Sequence, residues 1–306
     1  MFHSTQTLFL CFVGAISRKK GKKEKEKKID CCLFLQTMTG MSDRFYEMIF
    51  KRKSFHVFKD VGDERISDEE VKEIALAYKQ FSALDPTIKT AIRIVPGEET
   101  TCKRGEQFCI LFYSEKKDNY LQNIGYLGEQ MDLYLVSRNI GTLWFGIGKT
   151  TEAAFDGLDF VIMIAIHKVG DAEKFRKDMF KSKRKTVDEI WEGDVIEGVA
   201  DIIRFAPSAC NTQPWLVKNA GDISVYRFKK PGKRGIMPAE KVSFYNQIDI
   251  GIFLYFMEMC LTHCGREFER ELHSDHGDDV ELTLNAVYKL TSKEEYSEPD
   301  KKKQKR

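Results

Sequence analysis

The sequence predicts an α+β protein built as two similar halves, and two observations carry that expectation. First, the order helix, strand pair, long apolar helix, glycine stop, strand occurs twice along the 306 residues. Second, Gln122-Asn-Ile-Gly-Tyr-Leu in the first long helix is echoed by Gln247-Ile-Asp-Ile-Gly-Ile-Phe-Leu in the second. A repeat of this length is weighed first because it fixes architecture before any single element does. The expected organisation is an extension over 1–40, a first half over 41–190, a second half over 191–292 and a basic tail over 293–306.

The extension differs in composition from the remainder of the chain. Thr7–Ile16 is apolar but too short to span a bilayer, and the charged run Arg18–Lys28 comes after it. A secretory signal carries its positive charge before the apolar run, so 1–40 is read as a disordered extension without a stable membrane span, with a weak membrane anchor in reverse orientation and a targeting extension as the alternatives. Ordered structure is expected from about Ser42.

The first half opens with a short amphipathic helix marked by Phe45, Met48 and Ile49, with Ser42 or Asp43 as its cap. It ends in Lys51-Arg52-Lys53-Ser54, cations and a hydroxyl that can hold a phosphate. Ser67 and Glu70 then make a capping box, ahead of a stripe of Val71, Ile74, Ala75 and Tyr78. Ala91–Val95 and Phe108–Tyr113 read as strands joined by a hairpin-like connection. Residues 119–140 are apolar nearly all round, which predicts a central buried helix that stops at Asn139-Ile140-Gly141. A loop from Thr142 to Lys149 comes next, where Gly146 and Gly148 let backbone approach a ring closely. Phe160–Ile166 is a core strand, and His167 after it is structural or exposed.

The second half is expected to begin with a helical pattern over 188–204, with Val195, Val199, Ile202 and Ile203 on one face. Arg204-Phe-Ala-Pro-Ser-Ala-Cys-Asn-Thr-Gln-Pro-Trp215 comes next. Pro207 and Pro214 bracket a small polar patch of Ser208, Asn211, Thr212 and Gln213. A helix end, a polar shelf and a strand entry suit a flat polar ligand. Strands at 215–218 and 222–228, a buried helix over 244–264 and an alternating strand over 280–289 complete the half.

Net charge is +2, so no global field argues for nucleic acid. The eight cysteines show neither zinc spacing nor a secreted disulfide framework, which points to a reducing, cytoplasmic setting. No nucleophilic triad order, metal-ligand cluster or Walker loop appears.

The run Ala206-Pro-Ser-x-x-Asn-x-Gln-Pro-Trp215 resembles the FMN-binding signature of the nitroreductase family. Arg52, Ser54 and Phe58 are similar to the family's opening x-Arg-x-Ser-x-x-x-Phe segment, and His56 takes a position often basic there. Thr142–Lys149 resembles the segment that runs past the flavin, with Gly146, Ile147 and Gly148 beside the ring. The basic run 181–189 is similar to the closing Arg-Lys-Pro-x-x-Glu, with Arg184 as the match, Lys183 or Lys185 assisting, and Thr186 in place of proline.

The resemblance implies an α+β nitroreductase fold of mostly antiparallel sheets flanked by helices. It implies FMN held by Arg52, Lys53, Ser54, His56, Gly146, Ile147, Gly148, Arg184, Lys185, Pro207, Ser208, Ala209, Asn211 and Gln213. Ser208, Asn211 and Gln213 would lie along the ring and its O2/N3 edge. Nitroreductases are typically dimers with FMN between subunits, so two halves in one chain would imitate the dimer within a monomer. The first half carries Arg52 and Ser54 but has Phe81-Ser-Ala-Leu-Asp-Pro86 where a shelf would stand, and the second half carries the shelf. One composite FMN site per chain is the result. The implied reaction is ping-pong: NADH or NADPH reduces FMN, and FMN reduces a nitroaromatic, a quinone or a related small-molecule acceptor. The flavin carries the chemistry, so no catalytic side chain and no metal are expected, and Cys210 is a small filler. The alternatives are a flavin-binding storage or sensor module, and a degenerate scaffold without turnover.

Overall fold

A computed structural model describes residues 44–177, 179, 183–229, 235–275 and 280–291. The expected extension over 1–40, the Ser42 or Asp43 cap and the basic tail lie outside the described residues.

Residues 44–51 form helix α1. Helix α2, Asp68–Tyr78, starts on the expected capping box: the Ser67 hydroxyl accepts the Glu70 N–H at 3.2 Å, and the Glu70 carboxylate accepts the Ser67 N–H at 3.0 Å. Of its expected stripe only Ile74 is fully buried. Strands β1 (Thr90–Pro96) and β2 (Phe108–Ser114) form the hairpin, and helix α3 (Tyr120–Ser137) comes after them. Strands β3 (Ile140–Trp144), β4 (Ala154–Phe155) and β5 (Leu158–Lys168) complete the first sheet. Its order is β1-β2-β5-β3, with β4 also paired to β5.

The chain then passes through short helix α4 (Val187–Ile190), strand β6 (Trp191–Gly193) and short helix α5 (Ala200–Ile203). Strands β7 (Trp215–Asn219) and β8 (Ile223–Phe228), helix α6 (Val242–His263) and strands β9 (Glu267–Leu272) and β10 (Leu282–Thr291) complete a second sheet. Its order is β6-β7-β8-β10-β9. Without β6, that order repeats the first sheet element for element. All pairings are antiparallel except β6 with β7, which is parallel.

α3 and α6 pack on one another with their backbones in contact. A Cβ on Gly125 would lie 2.0 Å from the Ile248 carbonyl oxygen, and one on Gly251 would lie 1.9 Å from the Gln122 carbonyl oxygen. Each glycine therefore faces the residue three positions before the other glycine. Such reciprocity is the mark of a self-complementary contact. A second pair obeys the same rule. Asn123 and Asp249 each stand two residues before their glycine. Asn123 accepts the Asp85 N–H at 3.1 Å and Asp249 accepts the Ala209 N–H at 2.9 Å, so each helix holds the loop that precedes its own strand pair.

Three expectations are corrected. The pattern over 188–204 is not one helix. The Gly193 backbone lies against Asn219, where a Cβ would be 1.9 Å from the carbonyl oxygen, and Asp194 N–H donates to that oxygen at 3.0 Å. Pairing with β7 therefore captures Trp191–Gly193 as a strand, and cross-strand hydrogen bonds outweigh helical period. The segment after α3 is a strand from Ile140 to Trp144 before it becomes a loop, because Asn139 at φ 57° ends the helix and turns the chain straight back. Finally, β9 was not expected, since Glu267-Phe-Glu-Arg-Glu-Leu272 is charged on its exposed face.

The crossing makes a direct prediction. Gly251→Ala forces the two helices apart and costs about 2 kcal/mol or more, read as a lower urea midpoint at unchanged slope. A midpoint equal to that of the parent chain would refute the backbone contact.

Candidate functional site

Arg52-Lys53-Ser54 leaves the end of α1 and runs beside β3. Ser54 bridges Thr142 in parallel, and Phe55 N–H donates to the Thr142 carbonyl at 2.9 Å. The Arg52 side chain is buried, with Nε 2.8 Å from Asp132 Oδ2 and 3.6 Å from Glu129 Oε1 on α3. Asp132 also accepts from Thr142 Oγ1 at 2.6 Å and Trp144 Nε1 at 2.9 Å. Burial opposes the Arg52 charge, but Asp132 and Glu129 outweigh it and raise its pKa. Burial, and then Asp132, push the Glu129 carboxyl well above the usual carboxylate range in spite of Arg52.

Further cations converge there. Arg176 Nε donates to the Arg52 carbonyl at 2.9 Å, and Arg204 Nη1 donates to the Lys185 carbonyl at 2.7 Å. Arg184 donates from Nη1 to Asn211 Oδ1, while its buried Nε has no partner among the described residues. Burial together with Arg52, Arg176 and Arg204 lowers the Arg184 pKa to about 10, against a smaller pull from Asp249. A guanidinium held below its ordinary value by its own neighbours marks a place where an added anion is favourable.

The polar run forms the opposite wall. Cys210, Asn211 and Gln213 all adopt positive φ, at 50°, 58° and 48°. Strain of this kind in non-glycine residues persists only where surrounding contacts fix it, and here they do. Ser208 Oγ accepts the Gln213 N–H at 3.0 Å, Asp249 accepts the Ala209 N–H, and Thr212 Oγ1 donates to Asn246 Oδ1 at 3.1 Å. Trp215 anchors the far end, buried and stacked on Phe253 at 4.6 Å.

Between the walls lies a cavity of about 720 Å³. Its apolar surface includes Phe145, Ile147, Met237, Tyr245 and Ile252. Tyr245 OH donates to the Gly146 carbonyl at 2.8 Å, and a Cβ on Gly146 would lie 2.6 Å from the Tyr245 ring, so only glycine fits that approach.

The fold brings Arg52, Lys53, Ser54, His56, Gly146, Ile147, Arg184, Pro207, Ser208, Ala209 and Asn211 to this cavity. Gly148, Lys185 and Gln213 are not on its wall. Gly148 is buried behind it, where a Cβ would lie 2.6 Å from Met163 Sδ. Gln213 Oε1 accepts the Lys185 N–H at 2.7 Å, and Lys185 Nζ donates to the Gln213 carbonyl at 3.0 Å, so the two hold each other. The Asn211 amide is similarly engaged, donating to the Lys183 carbonyl at 2.7 Å and accepting from Arg184. These two amides fasten the basic segment to the shelf.

Asp249, Tyr245, Arg104, Arg176, Phe145 and Met237 line the cavity without having been singled out from the sequence. For Asp249 a signal existed: it is a carboxylate in the middle of an apolar helix, at the position matched by Asn123. Burial pushes its pKa up to about 8, although the Ala209 N–H, Thr212 and Arg184 all favour the charged form.

Two sheets of matching order around a pair of crossing helices, with one cavity between a basic wall and a polar shelf, define an α+β protein of nitroreductase-like fold. The chain belongs to the family described as "Putative TM nitroreductase", whose model matches residues 44–260. Its fold matches the crystal structure of a nitroreductase, titled putative, from Thermotoga maritima MSB8, with a TM-score of 0.52 and 18% identity over 80% of this chain and 93% of that one. No curated protein sequence matches the chain. Among the described residues no helix is long and apolar enough to cross a membrane.

The Asp249 environment sets a pH dependence. The unfolded chain releases this proton near pH 4 and the folded chain near pH 8. Between those values the folded state binds more protons, so stability falls as pH rises through that window. Asp249→Asn keeps an acceptor for the Ala209 N–H and is expected to flatten the slope. Thermal unfolding of both proteins from pH 5 to 9 checks this, and parallel profiles would refute it.

Proposed function

We propose that the chain is an FMN-dependent oxidoreductase that takes electrons from NADH or NADPH and passes them to a nitroaromatic, quinone or related acceptor. The observation that carries this is the pairing of a basic wall from one half with the signature shelf of the other across one cavity, with Arg184, whose buried Nε has no partner among the described residues, on its wall. That donor set fits a ligand with a phosphate at one end and a flat, partly apolar ring at the other. Arg52, Lys53, Ser54 and Arg184 would hold the phosphate end. Gly146, Pro207, Ser208 and Ala209 would hold the ring. When bound, FMN supplies hydride acceptance and release of one or two electrons.

The chain's own residues then bind, orient and exclude water. Asp132 fixes Arg52 at the wall, and Asp249 fixes the shelf through the Ala209 N–H. The Ser208 hydroxyl accepts the Gln213 N–H, and its hydrogen remains free to donate to a ligand. Phe145, Ile147, Tyr245 and Ile252 give the cavity an apolar side against which an aromatic acceptor desolvates.

In the same reading, 41–190 and 191–292 are fused repeats that imitate a dimer in one monomeric chain. The repeated strand order and the reciprocal glycine contact support it. The same reading gives a single site, because the two halves differ where a second one would stand. Glu258 stands seven residues after Gly251, as Asp132 stands seven after Gly125. Yet Glu258 faces inward contacts only: Arg270 Nη1 at 2.5 Å, Tyr126 OH at 2.8 Å and Tyr288 OH at 2.9 Å. Arg270 Nη2 donates to the Leu84 carbonyl at 2.7 Å, inside the loop that replaces the shelf in the first half. Protein fills the place of a second site. The cysteine usage favours action in the cytoplasm.

The purified chain is expected to show a flavin absorbance of about one equivalent that bleaches with NADH or NADPH in the absence of oxygen. A colourless protein that takes up no added FMN would overturn the reading, and flavin that stays oxidised with both donors would leave a binding module. Arg184→Ala is expected to weaken FMN binding roughly 10- to 100-fold, the size of a lost charge-assisted hydrogen bond. Fluorescence titration of the apoprotein measures it.

A further inference from the structure

The connection between β1 and β2 gathers two thiols and a carboxylate that the cavity does not use. Cys102 and Cys109 are both fully buried, and Glu106 lies between them in sequence. The two Sγ atoms and a Glu106 carboxylate oxygen all lie within 4.8 Å of one another. The wide separation of the two cysteines is not a zinc pattern in the sequence, and only closure of the hairpin brings the three together.

We propose that Cys102, Glu106 and Cys109 form a three-ligand site for Zn²⁺ with an open fourth position. Thiolate pairs completed by a carboxylate suit this ion, whereas Mg²⁺ and Ca²⁺ require oxygen ligands. Tetrahedral Zn²⁺ with Zn–S near 2.3 Å places two sulfurs roughly 3.8 Å apart, within the spread of this cluster. The surroundings also orient the ligands, as outer partners of a metal site do. Glu106 Oε2 accepts the Arg104 N–H at 2.8 Å, and Gly97 leaves the room that Glu106 fills, since a Cβ there would lie 2.8 Å from Glu106 Cγ. Thr100 Oγ1 accepts the Cys102 N–H at 3.1 Å and lies 3.5 Å from Cys109 Sγ. Binding forms two Zn–S bonds and one Zn–O bond and releases the two thiol protons to solvent. A water completes the fourth position.

The site clips the loop that supplies Arg104 to the cavity. The Arg104 carbonyl accepts the Phe58 N–H at 2.7 Å, and its guanidinium lies 5.8 Å from the centre of the Phe145 ring. The ion would fix that corner of the wall whatever ligand the cavity takes.

The test uses the full chain, first freed of metal and then given Zn²⁺, or Co²⁺ as an optical probe. One Zn²⁺ per chain is expected by elemental analysis, together with a thiolate-to-cobalt charge-transfer band and two fewer titratable thiols in the metal-bound form. Cys102→Ser and Cys109→Ser abolish these, and Cys264→Ser does not. Glu106→Gln, which leaves both sulfurs in place and guards against a misfolded serine variant, weakens Zn²⁺ in chelator competition about 10-fold or more. No stoichiometric metal with every thiol free would overturn the proposal. So would loss of two thiols without metal and with a mass decrease of two hydrogens, which would make the pair a disulfide.

Discussion

The contact on which the structure depends is the meeting of α3 and α6 at Gly125 and Gly251. Two helices approach this closely only where no side chain intervenes. The approach places Asp132 on one helix and Asp249 on the other near a common space. Asp132 governs where Arg52 stands, and Asp249 governs where the polar shelf stands. Each wall is held by a carboxylate whose helix packs on the other helix.

The cavity is electrostatically unfinished by the protein itself. Arg52 is satisfied by Asp132, yet Arg184 carries a buried Nε without a partner among the described residues and a pKa lowered by burial and then by its fellow guanidinium groups. Burying like charges together costs stability, and a compensating anion recovers it. The strained backbone at Cys210, Asn211 and Gln213 belongs to the same arrangement, since the amides of Asn211 and Gln213 secure the basic segment against the shelf. Strain and charge are thus concentrated on the two surfaces that face each other.

Much of this was legible in the sequence, and the exceptions share a cause. The central helices, the hairpin strands and the capping box at Ser67 announce themselves through period and cap chemistry. The strands β3 and β9 did not, and both stand at the ends of their sheets. An edge strand need not be apolar on both faces, so its pattern is weak. The segment from Asp188 to Arg204 has helical spacing but is partly drawn into the second sheet through Gly193, a long-range pairing that local period cannot report. At the site, the shelf and the basic segments were readable as motifs. Tyr245 and Arg104 acquire meaning only through packing across more than one element. The amide of Gln213 was expected to face a ligand and instead faces Lys185, because its direction depends on a positive φ that the sequence does not display.

The helix crossing also has a consequence in time. Residues 122–125 meet residues 248–251, so the first helix is made well before its partner. At about 5–20 residues per second of synthesis, the gap lasts roughly 6 to 25 seconds. Through that interval the apolar surface of α3 that faces α6 is open to water, to chaperones and to neighbouring nascent chains. A truncation or a translational pause before Gly251 would prolong the exposure, which makes the yield of folded protein sensitive to events far along the chain from the exposed surface.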